Sequence, residues 1–187
     1  MAGSASSTGQ CEVVTKWQLD EVEFQIIPAS YGYPKSGDLE QNATYLNETG
    51  FVKPVVAVSH NDASCVGLVR QGNFTMLLPG DIQKSGEDRL LSKSFPPIDV
   101  LIAPHHGGLS SSSPPFLNHL SPGSVIISAG HLNRFGHPHR RVLARYHNRG
   151  MTVLNTASSA AVTLSVDKTG RYVIEQARKN GRRFWYD

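Results

Sequence analysis

The stretch Asp99-Val100-Leu101-Ile102-Ala103-Pro104-His105-His106-Gly107-Gly108 decides how the chain is read. Val100 to Ala103 is too short an apolar run for a helix and suits a strand buried on both faces. Pro104 ends it, and two imidazoles and two glycines follow at once. The same grammar recurs on either side. Upstream, Asn73 to Leu78 reads as a strand running into Pro79-Gly80-Asp81, and a short helix follows from Ser85 through Leu91. Glu87 and Asp88 fall in its first turn, where they complement the helix dipole. Downstream come a helix from Pro115 to Leu120, a strand from Val125 to Ser128, a polar loop from His131 to His139, a helix from Pro138 to Asn148, and a strand from Met151 to Leu154. Val142, Leu143 and Tyr146 form the inward face of the last helix. Alternating strands and helices from residue 73 onward predict a mixed α/β arrangement with helices on a sheet. Asp81, the histidine pair and the loop 131–139 all stand at strand ends, where such folds build sites.

Working outward, Ser64 to Arg70 pairs with Asn73 to Leu78 as a hairpin around Gln71-Gly72. Residues 12–28 read as two short strands, the second alternating Val22, Phe24 and Ile26 with Glu23 and Gln25. Residues 29–53 show no sustained periodicity and read as a long surface loop, with sequons at Asn42 and Asn47 and another at Asn73. Two further strands are expected at 161–166 and 172–175. Residues 1–10 are small and polar and read as an appended or disordered lead. The 187 residues suit one domain with a real core. Hydrophobic content of 39% and charged content of 18% are ordinary for a globular protein. No apolar run approaches the roughly 20 residues that span a bilayer. The formal charge of +3 carries little weight alone, although Arg140, Arg141, Arg145 and Arg149 cluster late. The cysteine pair, Cys11 and Cys65, is compatible with a disulfide or with two thiols.

Among the residues that could do chemistry, Asp81 is a hard anionic donor able to bridge two metal ions, or else a turn aspartate. His105 and His106 form the sharper signal. One imidazole can ligate a metal while its neighbour donates to a substrate oxygen, and Gly107 and Gly108 let the backbone turn sharply. Paired histidines on a solvated turn are the bland alternative. In the run Asn133-Arg134-Phe135-Gly136-His137-Pro138-His139, Arg134 and the following helix start could hold a phosphate. A basic surface loop before a Pro-initiated helix fits as well. Ser110 to Ser113 supply hydroxyls near the histidines or form a polar linker.

Taken together, these segments resemble the ComEC/Rec2 family. The resemblance runs through Asn61-Asp62-Ala63-Ser64-Cys65-Val66, Leu77-Leu78-Pro79-Gly80-Asp81-Ile82 with Glu87 after it, Asp99-Val100-Leu101 to Pro104-His105-His106-Gly107, Ser111-Ser112-Ser113, Asn133 to Pro138 and Arg183-Phe184-Trp185. It implies the C-terminal portion of a metallo-β-lactamase fold, an αββα sandwich with helices on both outer faces, over residues 11–187, with 29–53 as an insertion. It implies a metal-dependent phosphodiesterase or nuclease with two divalent ions, zinc or manganese, degrading the DNA strand that is not imported. Asp81, His105 and His106 would be the metal side and His137 and Arg134 the catalytic side. Asn61, Ser64, Ser111 and Asn133 would contact substrate. The implied partners are single-stranded DNA and the remainder of a bacterial inner-membrane channel, with the domain on the periplasmic side and no membrane insertion of its own. In that oxidising compartment Cys11 and Cys65 would form a disulfide, worth roughly 3–5 kcal/mol in the chain-entropy model. A catalytically inactive DNA-binding or structural module of the same channel is the alternative. Two departures stand out. Gly108 replaces the serine usual after His-His-Gly. The motif His-x-His-x-Asp-His does not occur, so this chain alone is expected to bind metal weakly and to be nearly inactive.

Overall fold

The structure, a computed structural model, describes residues 14–29, 44–46, 52–54 and 59–180. Its frame is one seven-stranded mixed sheet. The strands β1 (Thr15–Leu19), β2 (Val22–Pro28), β5 (Cys65–Gln71) and β6 (Phe74–Leu78) are antiparallel neighbours. From β6 the sheet continues in parallel through β7 (Val100–Ile102), β8 (Ser124–Ile127) and β9 (Thr152–Asn155). A short hairpin of β3 (Thr44–Leu46) and β4 (Val52–Pro54) stands apart. It lies inside the stretch expected to be structureless, where Pro54 and the brief strands leave no readable alternation. The lead and Cys11 lie outside the described residues; Cys65, its expected partner, is exposed at the start of β5.

The parallel strands follow one another in chain order, so each crossover advances in the same direction. With the near-universal right-handed crossover, that order puts all the connecting helices on one face. They do lie there: α1 (Lys84–Leu90), α2 (Pro114–Leu120) and α3 (Arg140–His147) pack Leu90, Phe116, Leu117, Leu120, Val142 and Tyr146 against Leu77, Leu101, Val125 and Ile127. Fully burying one such side chain stabilises the fold by roughly 1.5–3 kcal/mol. The opposite face is covered by a second, two-stranded sheet. After the single-turn α4 (Thr156–Ser159), β10 (Val162–Val166) and β11 (Tyr172–Gln176) set Val162, Leu164, Val166 and Ile174 against Phe74, Val100, Ile126 and Leu154. A last turn, α5 (Ala177–Asn180), closes the described chain. The arrangement is mixed α/β, with sheet facing sheet on one side and helices on the other.

Two helices are capped from a distance. Gln83 and Ser113, the residues that precede α1 and α2, make no side-chain cap. Asp62 instead accepts Gln83 N–H at 2.7 Å and Gly86 N–H at 3.0 Å. Glu87 accepts the N–H groups of Ser112 and Ser113 at the approach to α2. Glu87 is thus buried and serves the neighbouring helix rather than the dipole of its own; burial raises its pKa above the ordinary value despite these bonds. Asp88 does remain on the surface, paired with Lys84 at 2.6 Å.

Candidate functional site

Parallel strands bring their C-terminal ends to one edge, and the loops there build the site. Asp81 follows β6, the histidine pair follows β7, and the loop 131–139 follows β8. Two backbone–backbone bonds join these loops, and the Ser64 hydroxyl holds Asp81. His105 N–H donates to Gly80 O at 3.0 Å, Asp81 N–H to Ser64 Oγ at 3.2 Å, and His139 N–H to Gly107 O at 2.9 Å. Gly107 has φ +76°, and a Cβ there would stand 2.9 Å from Pro138 Cβ. The close approach of the two loops therefore depends on that glycine.

His105 and His106 both adopt left-handed backbone, at φ 49° and 55°. For a non-glycine residue this conformation costs roughly 1–2 kcal/mol, and such strain concentrates at functional sites. The twist separates the two rings into different environments. His106 Nδ1 lies 2.8 Å from Ser128 O, a partner that only accepts, so Nδ1 carries the proton. In the neutral ring Nε2 then offers a lone pair, and it lies 3.7 Å from Asp81 Oδ1. His105 Nδ1 instead faces Gln83 Nε2 at 3.3 Å and Ser110 Oγ at 3.4 Å. Gln83 is held in turn by Asp62. Burial alone would raise the Asp62 pKa, but bonds from Ser85, Gln83, Ser59 and Gly86 outweigh it and hold the carboxyl below its ordinary value.

His137 joins the pair. Its ring centroid is 5.7 Å from that of His105, edge to face. A Cβ on residue 108 would come within 3.2 Å of His137 Cε1, so Gly108 provides the room into which this ring leans. His137 Nδ1 is buried and has no hydrogen-bond partner among the described residues. Burial lowers the His137 pKa, and the nearby His105, His106 and His139 add to the effect.

The remaining expected residues divide. Arg134 sits exposed, its guanidinium 4.8 Å from the Phe135 ring centroid. Asn133 braces its own loop: Nδ2 donates to Gly130 O and His137 O, and Oδ1 accepts His137 N–H. Ser64 donates to Asn61 O at 2.6 Å while holding the Asp81 backbone, so it positions Asp81 rather than facing substrate. Ser111, expected against substrate, is buried, and its hydroxyl donates to Pro104 O and Gly108 O. It holds the histidine turn from behind. The start of α3 is not open to a phosphate as expected, because His139 Nδ1 accepts the Arg141 N–H there. Sequence reasoning passed over Asp62, although it lies inside the run 61–66, and over Gln83 and Phe135.

Asp81 and His106 are a chemically apt pair of donors for a divalent ion. Two ligands on one tetrahedral zinc stand roughly 3.3 Å apart, close to the separation seen here, and the Nδ1–H bond to a backbone carbonyl is the usual support of a metal-ligating histidine. They are part of a ligand set and not a whole one: among the described residues no group of three or more His, Cys, Asp or Glu side chains is placed to hold a metal ion.

The fold and these loops define a mixed α/β domain with an Asp–His edge site. No family model matches the chain. Its relatives are more informative. Over 106 residues it is 37% identical to ComE operon protein 3 of Bacillus subtilis, covering 56% of this chain and 14% of that protein. It is 37% identical over 124 residues to Recombination protein 2 of Haemophilus influenzae, covering 66% and 16%. It is 34% identical over 115 residues to Competence protein ComA of Neisseria gonorrhoeae, covering 60% and 17%. The chain belongs to the ComEC/Rec2 family of competence proteins. It spans about a sixth of the length of these curated relatives. Among the described residues no helix is long and apolar enough to cross a membrane.

Proposed function

We propose that this segment supplies part of a divalent-metal phosphodiesterase site acting on DNA during its uptake, within a metallo-β-lactamase-like domain on the periplasmic side of an inner-membrane channel. The observation that carries the reading is the His106 ring: Nδ1–H donates to Ser128 O, and Nε2 stands 3.7 Å from the Asp81 carboxylate, where the two could share a metal ion. Asp81 and His106 would hold the metal together with donors from elsewhere in the protein. A bound zinc or manganese supplies a water acidic enough to attack a phosphodiester near neutral pH and offsets charge on the phosphate oxygens. The chain's own residues do the rest. His105 keeps a donor Nε2–H when Gln83 donates to its Nδ1, and that group suits a phosphate oxygen. Arg134 offers a planar fork to the same group. His137 can donate a ring N–H to the leaving oxygen as charge builds there. The names of the relatives and the sequence resemblance support the role in DNA uptake.

The test is a polypeptide extended to include the preceding segment of its parent protein. Zinc or manganese binding by calorimetry should fall by tenfold or more in Asp81→Asn and in His106→Ala. Cleavage of a single-stranded oligonucleotide should fall with it. His137→Ala should lower turnover more than metal affinity. Retained DNA binding with no cleavage under either metal would instead identify a catalytically inactive, DNA-binding module.

A further inference from the structure

We propose that Phe135 is a stacking platform for one nucleobase of a single-stranded DNA substrate, next to the site just described. The inference rests on the phosphodiesterase reading and adds to it the part of the substrate that the site grips beyond the phosphate.

A cavity of about 430 Å³ opens beside the histidines, with His106, Ser128, Asn133, Phe135, His137 and Thr156 among its lining residues. Its size falls at the lower end of small-ligand sites. Phe135 is 66% exposed, a large apolar ring left open to solvent. It is not on a slack loop. Asn133 ties the loop back on itself at Gly130 and His137, and His139 N–H fastens it to Gly107 O. The Phe135 ring lies 20° from parallel with the His137 ring, centroids 5.9 Å apart, so its orientation is set relative to the reacting edge. Arg134 brings a cation against the same ring, and among the described residues it makes no ion pair with a carboxylate. The pairing suits a single strand: a base takes the ring face over which the Arg134 guanidinium lies, and the displaced cation meets the backbone.

The polar groups around the cavity point to how it reads the base. Thr156 Oγ1 is engaged with Ala129 N–H, Ala129 O and Ile127 O. Ser128 O is taken by His106, and both ends of the Asn133 amide are engaged in the loop. Little remains to read a base edge, so the recognition is of a flat face and is tolerant of sequence. A base within a duplex has both faces stacked and cannot reach the platform without being extruded. The site thus selects single strands or loose ends.

The experiment compares two fluorescent oligonucleotides of equal length and charge, ten deoxythymidines and a ten-unit abasic strand, by anisotropy titration of the whole chain at low salt. The expected result is roughly tenfold tighter binding of the strand with bases, within the range for one stacked base. Phe135→Ala should abolish that discrimination while leaving affinity for the abasic strand unchanged. Phe135→Trp should keep it, with indole fluorescence beyond that of the unmodified chain quenched by the strand with bases and not by the abasic one. Because the side chain is exposed, neither substitution threatens the fold. Equal binding of both strands, or discrimination that survives in Phe135→Ala, overturns the platform and leaves the phosphate site standing. No binding of either strand likewise overturns the platform.

Discussion

Replacing Asp62 by alanine should unfold more than a turn. Asp62 is 2% exposed and accepts four hydrogen bonds, from Gln83 N–H, Gly86 N–H, Ser59 Oγ–H and Ser85 Oγ–H. The hydroxyls can rotate toward other acceptors, but the two backbone donors at the start of α1 cannot. A buried donor left without a partner costs about 1–3 kcal/mol, so two of them cost about 2–6 kcal/mol, a large share of the roughly 5–15 kcal/mol that holds an ordinary domain together. Asp62→Asn keeps one carbonyl oxygen for both backbone donors and offers an amide to the serine oxygens, so about 1 kcal/mol is expected. Urea unfolding at pH 7, followed by far-UV circular dichroism with the denaturant slope checked for constancy, measures both. The pH dependence has a definite sign. Because the folded-state pKa lies below the ordinary 3.8, the ionised carboxylate contributes stability above that value and loses it as pH falls through the folded pKa. The gap between the native chain and Asp62→Asn should therefore close in acid. An Asp62→Ala loss under about 1 kcal/mol, or equal losses in the two variants, would refute the reasoning.

Three further outcomes follow from the same contacts. Glu87 has its pKa raised by burial, so its contribution to stability is full below the ordinary 4.5 and declines as pH rises through the folded value; Glu87→Gln should therefore compare best with the native chain at pH 8 and worst at pH 4 in chemical denaturation. Gly107→Ala forces a side chain into left-handed backbone and against Pro138, and a loss of about 1–2 kcal/mol, with faster hydrogen exchange at the His139 amide, is expected. Gly108→Ser restores the residue usual in the family but sets Cβ 3.2 Å from His137 Cε1; a crystal structure should show that ring displaced by a few tenths of an ångström, and an unmoved ring would remove the account given for Gly108.

The alternation of strands and helices was legible because Val100–Ala103 and Val125–Ile127 are continuous apolar runs that only a doubly covered strand requires, and Val142 and Tyr146 mark a helix face directly. The edge on which Asp81, His105, His106 and His137 meet followed from that order. What the sequence hid was the service each polar side chain performs. Glu87 looked like a dipole partner because local rules weigh neighbours within one turn, whereas its bonds reach residues 25 and 26 positions away. Asp62 was overlooked for the same reason, capping a helix more than 20 residues downstream. Ser111 and Asn133 sit beside the chemistry in sequence yet turn their polar atoms inward, a matter of rotamer and register that composition does not carry.

Since β5 runs antiparallel to β6, its first residue lies at the same edge as the last residue of β6, and β2 ends there too, with Pro28 opposite Cys65 and Ala29 N–H bonded to Ser64 O. The chain between Ala29 and Ser59 thus leaves and rejoins the described structure at the rim of the site, within a few residues of the serine that holds Asp81. The two anchor points, Ala29 and Ser59, meet at the same turn, residues 59–64, that fixes Asp81 through the Ser64 hydroxyl.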